Sequence, residues 1–393
     1  MFDQTTREVL DAVICALNTK KYTEKILDEH QFYVKTVENG FSGLIYSALQ
    51  HDQISQELKN HLERDFLGYV SRDIKQSAAI SYLDEMLNAQ QVEHIFLKGS
   101  RMKLLYPESF MRAMGDIDIL VKSEKMDNVR KLLSSHGMTL ISRSQQHDVF
   151  KMKNKLVIEI HPELYKDFNL KYEPLIAHAW DYATIEESFK YVFDIEFELI
   201  YLLYHLAKHL DSSGIGLRSV LDIGIYATHF INQFDLKRLN QFIDQVNIRR
   251  FFDSMLYLCE VYFLFDFSTL KSRDFALDDR TTHQMTEYLT TSGIHGTGKS
   301  NNAFKTRYAS NQLKKRKKMH VIFEILFPDY ESMCAIYPWI SKCRLLIVFG
   351  WFARWIRLIF RNTKSSTRKI KALRVDSKQI MELTEIFKEI GLS

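Results

Sequence analysis

Residues 94–161 hold five short apolar runs, HIFLKG, DIDILV, TLISR, HDVFKMK and KLVIEIH, with one helical stretch, SEKMDNVRKLLSSHG, among them. Apolar and polar residues alternating at a period of two fit a half-buried strand and cannot form one face of a helix. The run GDIDILV is the most restrictive. On a strand, Ile117 and Ile119 enter a core on one side, and Asp116 and Asp118 leave together on the other. The whole span therefore predicts a small sheet carrying a pair of carboxylates.

Both flanks read differently. Apolar residues recur at three- and four-residue spacing through Val9, Ala12, Val13 and Leu17 and again through Ile80, Leu83, Met86 and Leu87, which predicts a helical N-terminal region over 1–90. From about Phe189 the segments EFELIYLLYHLAKHL, LRSVLDIGIYATHFI and RRFFDSMLYLCEVYFLF are each long enough for several helical turns. The expected organisation is a helical region 1–90, a sheet unit 91–170, a helical region 171–310 that completes a cleft, and a basic helical tail 311–393. The fold class is α+β. With 46% apolar residues in 393, and few prolines (5) or glycines (14), the chain is not disordered, collagen-like or a design of many tight turns.

Cys15, Cys259, Cys334 and Cys343 form no C-x-x-C pair, and Asp3, Arg7, Glu8 and Asp11 interrupt the first turns. No zinc knuckle and no secretory leader is expected, and the chain reads as cytoplasmic. Charge is uneven. Residues 301–393 hold 19 Lys+Arg against 7 Asp+Glu, so this stretch carries +12 while the first 300 residues carry −8. An anionic partner would meet the tail. The run LLIVFGWF at 345–352 is bracketed by Arg344 and Arg354 and is far short of the roughly 20 residues that span a bilayer. Trp and Phe beside arginines fit instead a helix lying on a membrane surface, or a core helix with its arginines in solvent.

Two carboxylates on one strand face repel unless a cation sits between them, and Mg²⁺ or Mn²⁺ is the usual partner of oxygen ligands. Glu159 repeats the apolar-acid-apolar arrangement in KLVIEIH and can join Asp116 and Asp118 if the strands are neighbours. Such a triad can hold two ions about 3.5–4 Å apart, a geometry suited to phosphoryl chemistry. Relief of repulsion predicts that Asn at 116 or 118 leaves stability intact or improved. Upstream, FLKGSRM puts Gly99 and Ser100 in a turn after a strand, where close backbone approach and free amides suit phosphate oxygens. Lys98 and Arg112 could add charge, and His161 shares a face with Glu159, where it meets a phosphate or the acceptor or serves as a hydrogen-bonded structural histidine.

The order LKGS, a fifteen-residue gap, DIDIL and then IEI resembles the nucleotidyltransferase superfamily. LKGSRMKLLYP, RAMGDIDILV and IEIHPEL are similar to the bacterial family of uncharacterised nucleotidyltransferases. This resemblance implies a mixed sheet with flanking helices, Gly99 and Ser100 against the nucleotide phosphates, and Asp116, Asp118 and Glu159 holding Mg²⁺. It also implies transfer of a nucleoside monophosphate from an NTP to an acceptor, with release of pyrophosphate. The sequence departs from the superfamily in the long Gly-Ser to Asp gap, the lysine before Gly99, and a Glu as third acid.

Other features carry competing readings. Gly293 to Ser300, GIHGTGKS, fits the phosphate-loop pattern, but HQMTEYLTTS before it reads as helix, so a surface or lid loop is expected. Asp222 stands at i, i+4 from Arg218; the two form a helix-surface pair, or with His205 and His209 they face the sheet as part of an acceptor cleft. KKRKK at 314–318 reads as a solvated face, with no interleaved aromatics for specific nucleic-acid recognition. The acceptor is left open between small molecule, saccharide, protein and tRNA. Toxin-like transfer to tRNA or protein, a non-catalytic nucleotide-binding scaffold, and a peripheral membrane enzyme are the alternatives.

Overall fold

A computed structural model describes residues 2–144, 147–165 and 170–293, and beyond them residues 306, 309–310, 326–328, 330, 333–334, 337–360 and 377–392. Helices α1 (Gln4–Leu17), α2 (Glu29–Glu38), α3 (Ser42–Ala48) and α4 (Gln56–Ala89) come first. Asp3, Asp28 and Ser55 cap α1, α2 and α4 by accepting backbone amides of the first turn, so local chemistry fixes where these helices begin. The sheet unit follows with β1 (His94–Phe96), α5 (Gly99–Met102), β2 (Ile117–Val121), α6 (Met126–Ser135), β3 (Thr139–Arg143), β4 (Asp148–Lys151) and β5 (Val157–His161). Then come α7 (Glu173–Ile176), β6 (Ala183–Glu187), β7 (Lys190–Phe193), α8 (Ile195–Ser212), α9 (Leu217–His229), α10 (Leu236–Gln245), α11 (Arg249–Phe263) and α12 (Asp279–Ser292). Last are α13 (Ile347–Phe360) and α14 (Ser377–Glu389).

The seven strands form one mixed sheet in the order β3-β4-β5-β2-β1-β7-β6. Its central strand β2 runs parallel to β5 and antiparallel to β1, and all five of its residues are buried. Ile117, Ile119 and Val121 pack with Phe96, Ile158 and Ile160 against Leu83 and Leu87 of α4 and Val129 and Leu133 of α6. Leu120 faces the other way, into a larger core that joins α1, α3, α8, α9 and α11. By the period of two, Asp118 shares the face of Leu120. A carboxylate thus lies between the sheet and the helical half.

The sheet is wider than the sequence suggests. β6 and β7 lie beyond residue 170, and β7 joins β1 through the pair His94 and Lys190 where helix was expected from Phe189. β6 is an edge strand, mostly solvent-facing, with Ile185 63% exposed, and Ser188 turns the hairpin at a φ of +52°. Its polar outer row gives no period-two signal. At Gly293 the preceding segment is helix α12, so the strand a phosphate loop requires is not there. Residues 294–300 and the run 314–318 lie outside the described residues. No helix among the described residues is long and apolar enough to cross a membrane.

Because Ile119 is fully buried on the central strand, Ile119→Ala should cost about 2–5 kcal/mol of unfolding free energy, measured by urea denaturation.

Candidate active site

The parallel register of β2 and β5 pairs Asp118 with Glu159 and Leu120 with His161, so both acids and the histidine emerge from one face. His161 Nε2 lies 2.8 Å from Asp118 Oδ1 and 3.7 Å from Glu159 Oε2. The ligand atoms of Asp118, Glu159 and His161 all fall within 4.8 Å of one another, a spacing that fits one divalent ion. Antiparallel β4 adds His147 opposite His161, with its Nε2 3.9 Å from Glu159 Oε2. Asp116 sits just before β2 rather than on it, close to Glu159 and within reach of the Asp118 charge.

Electrostatics separates the two aspartates. Burial works against ionising Asp118, but the Lys98 ammonium 3.0 Å away and the His161 hydrogen bond overcome it and hold the carboxyl well below the usual range. Burial likewise opposes the Lys98 charge, and Asp118 outweighs it, so Lys98 stays protonated. Asp116 goes the other way: burial first, then the charge of Asp118, push its pKa up. Asp118 is the anchored charge of the site and Asp116 the repelled one.

Lys98 reaches Asp118 from a strained backbone, φ +44° and ψ −111°, at the end of β1. Such conformations persist only where the surroundings enforce them. Next to it, a Cβ on Gly99 would lie 2.7 Å from Met114 Cγ and 2.8 Å from Arg112 Nη1, so only glycine lets these side chains close over the turn. The amides of Ser100, Arg101 and Met102 donate to Leu97 and Lys98 carbonyls within the turn. The buried Ser100 hydroxyl rests 3.6 Å from the Met114 sulfur. Ser100 supports the turn from behind and does not line the cavity.

That cavity, of about 420 Å³, lies between the carboxylate face and helices α8 and α9. Lys98, Gly99, Arg112, Asp116, Asp118, Glu159 and His161 all line it from the sheet side. His205, His209, Arg218 and Asp222 line it from the helical side, so the residues expected to complete the cleft do meet the sheet. The expected pairing of Arg218 with Asp222 is not what forms. Asp222 accepts two hydrogen bonds from Arg112, at 3.2 and 2.8 Å, and one from the Tyr106 hydroxyl at 2.8 Å. A planar fork offering two parallel hydrogen bonds is a stronger partner than a neighbour on the same helix.

A family model described as "Uncharacterised nucleotidyltransferase" matches residues 27–264, more than half of the chain. The chain belongs to that family. The match runs from the start of α2 through α11 and takes in every residue of the cavity named above, leaving 265–393 outside it. No curated protein and no solved structure matches the chain.

Three groups in and around the cavity escape a reading of the sequence. His147 stands at the edge of a strand recognisable in HDVFKMK, and only the β4–β5 register brings it to His161. Tyr106 lies in an irregular stretch with no periodicity. Tyr201, on a helix whose apolar residues look like ordinary core, is buried beside Lys98 and Asp118, with burial pushing its hydroxyl pKa upward.

His205 donates to or accepts from His209 at 3.0 Å, and burial, then the Lys98 charge, keep its pKa well below the ordinary value. The unfolded chain therefore binds a proton near pH 6.5 that the folded chain refuses, and stability must fall as pH drops below that point, by up to about 1.4 kcal/mol per pH unit. His205→Asn should narrow the loss of unfolding free energy between pH 7.5 and 5.5 by about 1 kcal/mol, read from urea titrations at both pH values.

Proposed function

We propose that the chain transfers a nucleoside monophosphate from an NTP to an acceptor and releases pyrophosphate, using Mg²⁺ or Mn²⁺. The observation that carries this is the buried Asp118, Glu159 and His161 group, with Asp116 beside it, in a family of nucleotidyltransferases. The donor set fits a divalent ion. The one imidazole nitrogen among carboxylate oxygens makes Mn²⁺ the better match of the two. Bound there, the ion would neutralise the triphosphate and orient its α-phosphate.

In this reading Asp116, Asp118 and Glu159 are the ligands, with His161 completing the set and Lys98, Gly99 and Arg112 shaping the nucleotide end, Ser100 supporting the turn from behind. Lys98 holds Asp118 ionised and pointed into the cavity. Glu159, half-buried at the cavity, takes the proton of the acceptor oxygen as that oxygen bonds to the α-phosphorus. The bond from the α-phosphorus to the oxygen bridging toward the β-phosphorus breaks, and pyrophosphate leaves. Rate comes from positioning and fixed charge rather than from covalent chemistry.

Pyrophosphate release should appear with an NTP, Mn²⁺ or Mg²⁺, and cell extract as acceptor source, and fall roughly 10³-fold or more in Asp116→Asn and Asp118→Asn. Stability should separate the two variants. Asp116→Asn relieves repulsion and leaves the melting temperature unchanged or higher. Asp118→Asn strands the Lys98 charge and costs about 3 kcal/mol, contrary to the expectation from the sequence alone. Absence of release with every NTP, despite nucleotide binding, would assign the cavity to binding alone.

Peripheral membrane contact has support of its own. Val348, Phe349, Phe352 and Ile356 are all exposed and fall on one stripe along α13, with the exposed Leu345 in the turn just before it, while Trp351 and Trp355 hydrogen-bond carbonyls of Pro328 and Leu326. At 14 residues α13 is about 21 Å long, too short to span and long enough to lie in the headgroup layer. The chain should float with vesicles containing anionic lipid and lose this with Phe349→Ser and Phe352→Ser together, while neutral vesicles leave it in solution.

A further inference from the structure

Arg218 is 7% exposed and lines the cavity, yet no described residue hydrogen-bonds or ion-pairs with its guanidinium. Buried arginines are ordinarily paired, because an ion taken out of water without a partner is costly. The nearby carboxylate that could have served is consumed: Asp222 is held by Arg112 and Tyr106. Burial, then the like charge of Arg112, depress the pKa of Arg218, and the Asp222 charge only partly opposes them.

The backbone points the same way. Arg218 is the second residue of α9, whose N-cap Gly216 has no side chain to satisfy the first amides. Gly214, Ile215, Arg218 and Ser219 all border the cavity, so the positive end of a thirteen-residue helix opens onto it. Few side chains recognise a tetrahedral oxyanion as well as a planar guanidinium, and the positive end of the helix lies at the same spot, although the Ser219 amide already donates to the Gly216 carbonyl.

We propose that Arg218 and the first turn of α9 form a binding site for a phosphate group carried by a substrate. The phosphate has two sources under the nucleotide-transfer reading on which their identities rest: the terminal phosphate of the NTP, or a phosphate on the acceptor. The chemistry is the same in both cases, a doubly charged oxyanion seated beside Arg112 and across the cavity wall from His205.

The experiment is calorimetric binding to the full chain of tripolyphosphate, an α,β-methylene NTP, a nucleoside monophosphate and orthophosphate, with Mn²⁺, in wild type, Arg218→Met and Arg218→Lys. Arg218→Met should leave the unliganded melting temperature unchanged or higher and weaken tripolyphosphate or orthophosphate about tenfold to a hundredfold, with Arg218→Lys in between. Weakening shared by the NTP analogue but not the monophosphate assigns the site to the nucleotide tail. Weakening of orthophosphate alone, in the presence of saturating NTP analogue, assigns it to the acceptor.

Equal anion affinities in wild type and Arg218→Met overturn the proposal, as does a wild type that binds none of these anions. So does a melting temperature that falls in unliganded Arg218→Met and is restored by lysine without any change in binding. Failure of the nucleotide reading looks different. Tripolyphosphate would still bind through Arg218 while the NTP analogue did not, and the site would stand without the reaction.

Discussion

The ion pair between Lys98 and Asp118 is the contact on which the site depends. Asp118 stands on a central strand with both sheet faces covered, where an unpaired carboxylate could not stay ionised. Lys98 supplies the counter-charge from the neighbouring strand by taking up a left-handed backbone that the Gly99 turn allows. His161 supplies a second contact from the strand on the opposite side. Three adjacent strands therefore converge on one oxygen-rich point, and the direction of each is set by apolar residues packed on the sheet's other face.

Around that point the charges of the cavity sort by sign. Lys98 is matched to Asp118 and Arg112 to Asp222, so neither pair adds much net field. Asp116 and Glu159 add carboxylates on the sheet side, Glu159 3.7 Å from His161 Nε2, and Lys208 and Arg218 add cations on the helical side. His205, held neutral by burial, adds no charge between them. A cavity negative at one wall and positive at the other suits a ligand that brings a cation and an anion together, such as a polyphosphate with its divalent ion.

The acids of this site were legible because their strands advertise themselves. In GDIDILV and KLVIEIH an acid between two isoleucines is meaningful only on a strand, and the pairing of Asp118 with Glu159 follows once the two strands are parallel neighbours. What was hidden depends on tertiary partners. Spacing put Asp222 beside Arg218, but nothing local shows that a distant Arg112 competes for it with better geometry. Ser100 looks like a phosphate donor next to glycine, yet Met114 closes over it. β6 and β7 had no signal, because an exposed edge hairpin need not alternate apolar and polar residues.

The helical flanks explain how such a site survives. A strained lysine, a repelled aspartate, a neutral half-buried histidine and a buried arginine without a hydrogen-bonded carboxylate each cost free energy, and a folded domain has only about 5–15 kcal/mol to spare. The strands of residues 94–161 offer two faces to bury. One packs on α4 and α6, and the other joins α8 and α9 to the N-terminal helices through a single continuous core. That larger core lies directly behind the helical wall that presents His205 and Arg218. Stability generated in the flanks holds charges in positions that the sheet alone would release to water, and this is the physical reason a small strand unit is embedded among so many helices.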